Sequence, residues 1–125
     1  MDEQKFSRIF DELNQYRGVE EVFLLGSDGA VIFQSPPDFS LDSEEVKGLL
    51  KSWKEKEPSI NFQSNRYAIL KNDEIQLAAK NIAGGKGNIA GSITKEGDYL
   101  IAHIAQDTDI ILLEWSIIVN KLAWS

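Results

Sequence analysis

The spacing of apolar residues predicts helices near both ends of the chain, a helix in the first half and short strands between them. Near the start, apolar residues recur every three or four positions, which places them on one face of a helix. They are Phe6, Ile9, Phe10, Leu13 and Tyr16. Gly18 follows, and a glycine suits the left-handed residue that often ends a helix. We therefore expect the first helix to end there.

Two short apolar runs then flank an Asp-Gly pair, which is the pattern of a β-hairpin. The runs are Val22–Leu25 and Val31–Phe33, and the pair is Asp28-Gly29. Asp-Gly favours turns in which both central residues have positive φ. Pro36 and Pro37 end the second run, because neither can donate a ladder hydrogen bond.

A second amphipathic helix follows the hairpin. Its apolar stripe consists of Val46, Leu49, Leu50 and Trp53. Asp42 or Ser43 caps its start, and Glu45 lies three residues after Asp42, as in a capping box. Pro58 marks the exit from this helix.

From Ile60 onward the apolar residues alternate with polar ones or form short runs, which predicts strands. The segments are Ile60–Phe62, Tyr67–Leu70, Ile75–Ala79, Ile89–Thr94 and Tyr99–Ala105. Short turns link nearly all of them. Neighbouring strands should therefore be antiparallel, because a parallel pair needs a crossover of about a dozen residues or more.

The last helix, predicted from Ile110 to about Trp124 and capped by Asp107-Thr108-Asp109, has two apolar arcs. One arc contains Ile111, Trp115, Ile118, Val119 and Leu122. The other, on nearly the opposite side, contains Ile110, Leu113, Ile117 and Trp124. One arc can be buried against the sheet, so the other should face the first helix, solvent or a partner.

Composition limits the classes of protein that fit. The chain has 125 residues, 42% of them hydrophobic and 26% charged, which suits a single folded domain spanning 1–125. No cysteine is present, so disulfides and thiolate metal sites are excluded. No apolar run approaches the roughly 18 residues of a membrane span, and the opening residues lack a secretory signal. We expect a cytoplasmic protein.

Charge argues against nucleic acid as a partner. The net charge is −7, whereas nucleic-acid binding needs clustered Lys and Arg. Lys47, Lys51 and Lys54 lie close together on the second predicted helix, but glutamates are interleaved with them. A solvated face of mixed charge is one interpretation, and a weak contact with acidic lipid head groups is the other.

The sequence contains no constellation of catalytic residues. His103, the one histidine, lies within a predicted strand, and no second His or Cys could complete a triad or metal site with it. Lys86 in the run Gly84–Gly87 is followed by glycine and a strand, not by Ser or Thr and a helix as a phosphate loop requires. We therefore expect a protein-recognition module with no cofactor or metal and no enzymatic activity.

Several segments, in order, resemble the profilin family. Leu-Leu-Gly-Ser-Asp-Gly-Ala-Val-Ile-Phe-Gln-Ser at 24–35 is similar to the first profilin hairpin, Ile/Val-Leu-Gly-x-Asp-Gly-Ser-Val-Trp-Ala-x-Ser. Phe39–Val46, Ile60–Lys71 and the glycine-containing Lys80–Ile93 match the family's later segments. The resemblance implies an α+β fold: an antiparallel sheet of about five to seven strands, the terminal helices on one face and one or more short helices on the other.

The same resemblance implies binding of the actin monomer, control of its polymerisation and nucleotide exchange, and a cytoskeletal location. Profilins form the actin face from late strands and the start of the C-terminal helix. The corresponding residues here are Ile69, Lys71, Lys80, Asn88, Ala90, Leu113, Ser116 and Ile117. Leu113 and Ile117 also belong to the second arc of the last helix, so two lines of argument select them.

The resemblance also implies a site for proline-rich peptides, but with a weakened aromatic platform. The positions that correspond to it are Phe6, Ile9, Ile32, Lys121 and Trp124. Isoleucine at position 32, where the family has tryptophan, removes part of the surface on which a polyproline helix stacks. We therefore expect weak or no polyproline binding and a divergent profilin, such as an archaeal type.

Lipid binding, oligomeric state and two alternative classes of protein remain to be considered. The acidic surface makes strong phosphoinositide binding unexpected, and the resemblance implies a monomer. A roadblock-type scaffold that regulates a small GTPase has a similar order of elements, but it would be a constitutive homodimer. A small-molecule sensor domain with a pocket in the sheet is the other alternative.

Overall fold

Seven antiparallel strands form one sheet in the computed structural model, which describes residues 1–125. The helices are α1 (Glu3–Leu13), α2 (Ser43–Lys54) and α3 (Leu112–Ala123). The strands are β1 (Val19–Leu25), β2 (Val31–Ser35), β3 (Ser59–Phe62), β4 (Asn65–Asn72), β5 (Gln76–Lys80), β6 (Asn88–Ile93) and β7 (Tyr99–Ile104). Their order in the sheet is β2-β1-β7-β6-β5-β4-β3, and every neighbouring pair is antiparallel. The predicted α+β architecture is confirmed.

Each face of the sheet is covered by helices. The terminal helices α1 and α3 pack on one face, and α2 packs on the other. The apolar run of β1 is continuous because both of its faces are buried. Val22 and Leu24 face the terminal helices, whereas Phe23 and Leu25 face α2. A strand buried on both faces has no polar alternation.

Helix α1 is shorter than the sequence predicts. Asp2 caps its start by accepting a hydrogen bond from the Lys5 amide at 2.8 Å, and the helix ends at Leu13. Gly18 has a φ of 115° and lies in the turn into β1, where a side chain would collide with the methyl group of Thr108. The glycine is therefore needed for close contact with the chain before α3, not as the helix cap.

The start of α3 also differs from the prediction. The helix begins at Leu112, and its N-cap residue, Ile111, makes no side-chain capping bond. Thr108 does not cap the helix: its hydroxyl donates to the Ile110 carbonyl at 3.0 Å and accepts from the Trp115 indole at 3.3 Å. None of the three helices has the length and apolarity of a membrane span.

The predicted cap of α2 is confirmed for Asp42 but not for Glu45. Asp42 accepts from the amides of Glu44 and Glu45 at 2.9 and 3.3 Å. The Glu45 carboxylate instead accepts from the amides of Gln63 and Ser64 at 2.5 and 3.0 Å. Both residues have positive φ, which is unfavourable for residues other than glycine. Glu45 thus holds the turn between β3 and β4.

Replacing Glu45 by alanine should therefore lower the free energy of unfolding by about 1.5–3 kcal/mol, since hydrogen bonds to a charged acceptor are lost. Chemical denaturation measures this change. Glu44→Ala is the matched control, because Glu44 lies in the same first turn and its side chain is exposed; its effect should stay within about 0.5 kcal/mol. Equal losses in both variants would contradict the role of Glu45.

Candidate functional site

Within α3 the two predicted arcs have different environments, but the residues before the helix do not follow them: Ile111 of the first arc is 70% exposed, and Ile110 of the second packs on the core. Trp115 and Val119 of the first arc are fully buried against the sheet. Leu113 and Ile117 of the second arc are 50% and 46% exposed. Of the three outcomes predicted for the second arc, solvent exposure is the one seen at these two residues.

A hydrogen-bonded link connects this exposed edge of α3 to the sheet. The buried hydroxyl of Ser116 donates to the Leu113 carbonyl at 2.8 Å and lies 3.4 Å from Oε1 of Gln76. The same oxygen accepts from Nζ of Lys71 on β4 at 3.0 Å. The Lys71 ammonium is therefore held near the exposed turn of the helix.

Asp73 completes the polar surroundings of Lys71. Its carboxylate accepts from the amides of Gln76 and Ile75 at 2.6 and 2.8 Å, and it lies 3.9 Å from Nζ of Lys71. The Gln76 amide lowers the pKa of Asp73, with burial opposing it and the Ile75 amide and Lys71 adding to the shift. Asp73 is thus ionised and fixes the turn between β4 and β5.

The eight residues assigned to the actin face do not form one surface. Asn88 and Ala90 on β6 are buried, and Ser116 is buried on the inner side of α3. Ile69 packs against the core on the α2 side. The register of β4 shifts between Ile69 and Lys71, which accounts for their different environments.

Four of the assigned residues remain as an accessible set on the side of the terminal helices. Lys80 follows Gln76 and Ala78 in the alternation of β5, so it points to the same side of the sheet as they do. We call the set the α3 surface: Lys71, Lys80, Leu113 and Ile117.

The residues assigned to a proline-peptide site are dispersed. Phe6 and Ile9 are core residues of α1, and Ile32 is 42% exposed at the edge of the sheet. Lys121 lines a groove between α1 and α3, with Tyr16 on its other side. The Trp124 indole donates to the Ile93 carbonyl at 2.8 Å. These five residues therefore do not line a single groove.

Phe33, which the sequence analysis did not select, lies nearer the terminal helices than Ile32 does. The register between β1 and β2 shifts so that Leu24 pairs with Phe33 and Leu25 with Val31, leaving Ile32 without a partner. The Phe33 ring lies 5.6 Å from that of Phe6. Together with Phe10 they line a groove of about 390 Å³ that also includes Glu3 and Asp11.

One cluster of side chains has the composition of a metal site. Glu20, Glu21 and His103 offer carboxylate and imidazole atoms within 4.8 Å of one another. Glu21 Oε2 lies 2.6 Å from His103 Nδ1, which is a hydrogen-bond distance. The sequence alone did not associate these residues, because β1 and β7 become neighbours only through the sheet topology.

The fold and the exposed helix edge define a recognition module in which two terminal helices cover one face of an antiparallel sheet. No family model matches the chain. A profilin of Lokiarchaeum sp. (strain GC14_75), Loki profilin-3, is 62% identical over 125 residues, which is all of both chains. The chain belongs to the profilin family, and its similarity to an archaeal member confirms the predicted type.

Solved structures agree on the fold. The structure of a LokiProfilin2/rabbit actin complex matches with a TM-score of 0.81 and 23% identity, covering 98% of this chain and 95% of that one. A LokiProfilin1/rabbit actin complex matches with a TM-score of 0.80 and 24% identity, covering 98% and 93%. Because the chain belongs to the profilin family, the roadblock-type scaffold and the small-molecule sensor domain are no longer needed as interpretations.

The register shift in β2 can be tested by comparing two neighbouring side chains. Phe33→Ala should lower the free energy of unfolding by about 1.5–3 kcal/mol, because a half-buried ring that packs on Phe6 is lost. Ile32→Ala should cost less than about 1 kcal/mol, because that side chain is largely exposed. Thermal or chemical denaturation measures both; a larger loss for Ile32→Ala would contradict the register.

Proposed function

We propose that the protein binds the actin monomer through the α3 surface and regulates actin polymerisation by sequestering the monomer, by changing its nucleotide exchange, or both. The observation behind this proposal is the exposure of Leu113 and Ile117 on a helix whose opposite side, with Trp115, Val119 and Ala123, is fully buried. Membership of the profilin family supports the choice of actin, as do the profilin–actin complexes of similar fold.

The physical character of the α3 surface suits such a contact. Its apolar centre can be desolvated at little cost, and the fully buried Trp115 and Val119 hold the helix on the sheet beneath it. Lys71 and Lys80 give the surface a positive border on a chain whose net charge is −7. Charges at the border of an interface set orientation and association rate more than affinity.

The proposal also covers enzymatic activity, oligomeric state, location and lipid binding. The protein acts as a binding protein and not as an enzyme, and it works as a monomer in the cytoplasm, associated with the cytoskeleton. Its acidic surface disfavours strong binding to phosphoinositide vesicles.

Ile117→Asp should weaken actin binding at least about 30-fold, because it puts a charge at the centre of an apolar contact. The affinity for monomeric actin and the effect on polymerisation are both measured. Far-UV circular dichroism and the thermal midpoint should change little, because Ile117 is 46% exposed.

Ile32→Asp is the matched control for this experiment. Ile32 has the same side chain and a similar exposure of 42%, but it lies on the edge strand β2, whereas α3 packs on β5 and β6. Its variant should bind actin as the unmodified protein does. Unchanged affinity in Ile117→Asp, or equal loss in both folded variants, would refute the assignment.

Proline-rich peptides should bind weakly or not at all. Two of the five positions that correspond to the family's site, Phe6 and Ile9, are buried, and a third is the aliphatic Ile32. Few exposed aromatic faces are therefore left at these positions for a polyproline helix. A titration with polyproline monitored by tryptophan fluorescence tests this expectation, and ordinary micromolar affinity would contradict it.

A further inference from the structure

His103 lies where three parts of the fold meet on the α2 side of the sheet. From β7, its Nδ1 is 2.6 Å from Oε2 of Glu21 on β1. Its Nε2 is 2.8 Å from the carbonyl oxygen of Lys86, in the loop between β5 and β6. The hydroxyl of Tyr67 on β4 donates to the same carbonyl at 3.1 Å and lies 3.3 Å from Nε2.

Nδ1 therefore faces a carboxylate oxygen and Nε2 a carbonyl oxygen, and both oxygens can only accept hydrogen bonds; the Tyr67 hydroxyl near Nε2 has a single proton, which it gives to the same carbonyl. A neutral imidazole has one N–H, whereas the imidazolium has two. Both ring nitrogens can donate to these acceptors at the same time only when the ring is protonated. Burial opposes the charge, but the hydrogen bonds to Glu21 and Lys86 and the charges of Glu21 and Glu20 raise the pKa of His103.

The other titratable group in contact with the ring does not compete for this proton. Burial raises the pKa of Tyr67 to about 12, and the nearby carboxylates of Glu21, Glu20 and Glu45 add to the shift. Tyr67 therefore remains a neutral hydroxyl, with a single proton to donate, throughout the range in which a histidine titrates.

The 2.6 Å separation of Glu21 Oε2 and His103 Nδ1 is that of a charge-assisted hydrogen bond. Ligand atoms of a tetrahedral zinc ion, each about 2.1 Å from the metal, lie roughly 3.4 Å from one another. His103 Nδ1 and Glu21 would have to separate by most of an ångström to hold such an ion.

The loop that His103 contacts is tightly fixed in other respects. We call Gly84–Gly87 the glycine loop. Oδ1 of Asn81 accepts from the amides of Gly84 and Lys86 at 2.8 and 3.1 Å. Gly87 has a φ of 93°, and a side chain there would collide with the Ile104 carbonyl of β7. The loop thus lies directly over β7, with the Lys86 carbonyl directed at the His103 ring.

We propose that the protonated ring of His103 ties the Lys86 carbonyl of the glycine loop to the sheet, and that loss of its second ring proton loosens the loop, which stays anchored at Asn81. On deprotonation the remaining proton stays on Nδ1, because the bond to the Glu21 carboxylate is the stronger one. The lone pair of Nε2 then faces the Lys86 carbonyl. The single proton of Tyr67 can satisfy only one of these two acceptors.

The direction of the pH effect follows from this arrangement. His103 has a higher pKa in the folded chain than its ordinary value of 6.5. Its contribution to stability is therefore fully present below about pH 6.5 and is lost as the pH rises through the folded-state pKa. The effect should be local, because only the glycine loop loses a hydrogen-bond donor.

The experiment is a pH titration by NMR, and it is unambiguous because the chain has a single histidine. The ring signals of His103 should titrate with a midpoint above 6.5. Over the same range, amide exchange of Gly84–Gly87 should accelerate about tenfold more than the intrinsic dependence on hydroxide, as expected for loss of one charge-assisted hydrogen bond.

Glu21→Gln should lower the midpoint of the ring titration and move the loop transition with it. Glu20→Gln is the matched control, since Glu20 is exposed and makes no hydrogen bond to the ring. This variant should shift the ring midpoint and the loop transition far less than Glu21→Gln does. A midpoint at or below 6.5 in the unmodified protein would overturn the proposal, as would loop amides that follow only the intrinsic rate. So would stoichiometric movement of the ring signals on adding Zn²⁺, which would indicate a cation site.

Discussion

The pairing of β1 with β7 is the constraint on which the rest of the fold depends. It is the one neighbouring pair in the sheet whose strands are not consecutive in the chain. It joins the strand that follows α1 to the strand that precedes α3, and so it brings both terminal helices to the same face. Because β1 is buried on both faces, its apolar run anchors the two halves of the core.

The same pairing determines what the protein can present to a partner. With Trp115 and Val119 packed on the sheet, the opposite arc of α3 has no part of its own chain to cover Leu113 and Ile117. Gln76 on β5 accepts a hydrogen bond from Lys71 and lies against the buried Ser116, so this helix edge and Lys71 are close together. The pairing also brings Glu21 against His103, so the polar cluster and the α3 surface have a common structural origin.

Much of this was predictable from sequence because it depends on local periodicity. The stripe of α2 and its Asp42 cap need only nearby residues, and so does the division of α3 into two arcs. The predictions were wrong where the exposure of a side chain depends on residues that are distant in the chain. Ile32 and Phe33 exchange roles because of a register shift, which alternation cannot reveal. Ala90 and Ser116 were assigned to the actin face, but both are buried between α3 and the sheet, Ala90 on β6 and Ser116 on the inner side of α3, which only the packing of the helix reveals.

The most direct test of the central claim is to map which amides of the isotopically labelled protein change when monomeric actin is added. Binding through the α3 surface predicts NMR shifts or exchange protection concentrated at Leu113–Ile117 and around Lys71. The amides of α1 and β2, beside the groove that contains Phe33, should change little. Changes confined to α1 and β2, with none along α3, would contradict the account.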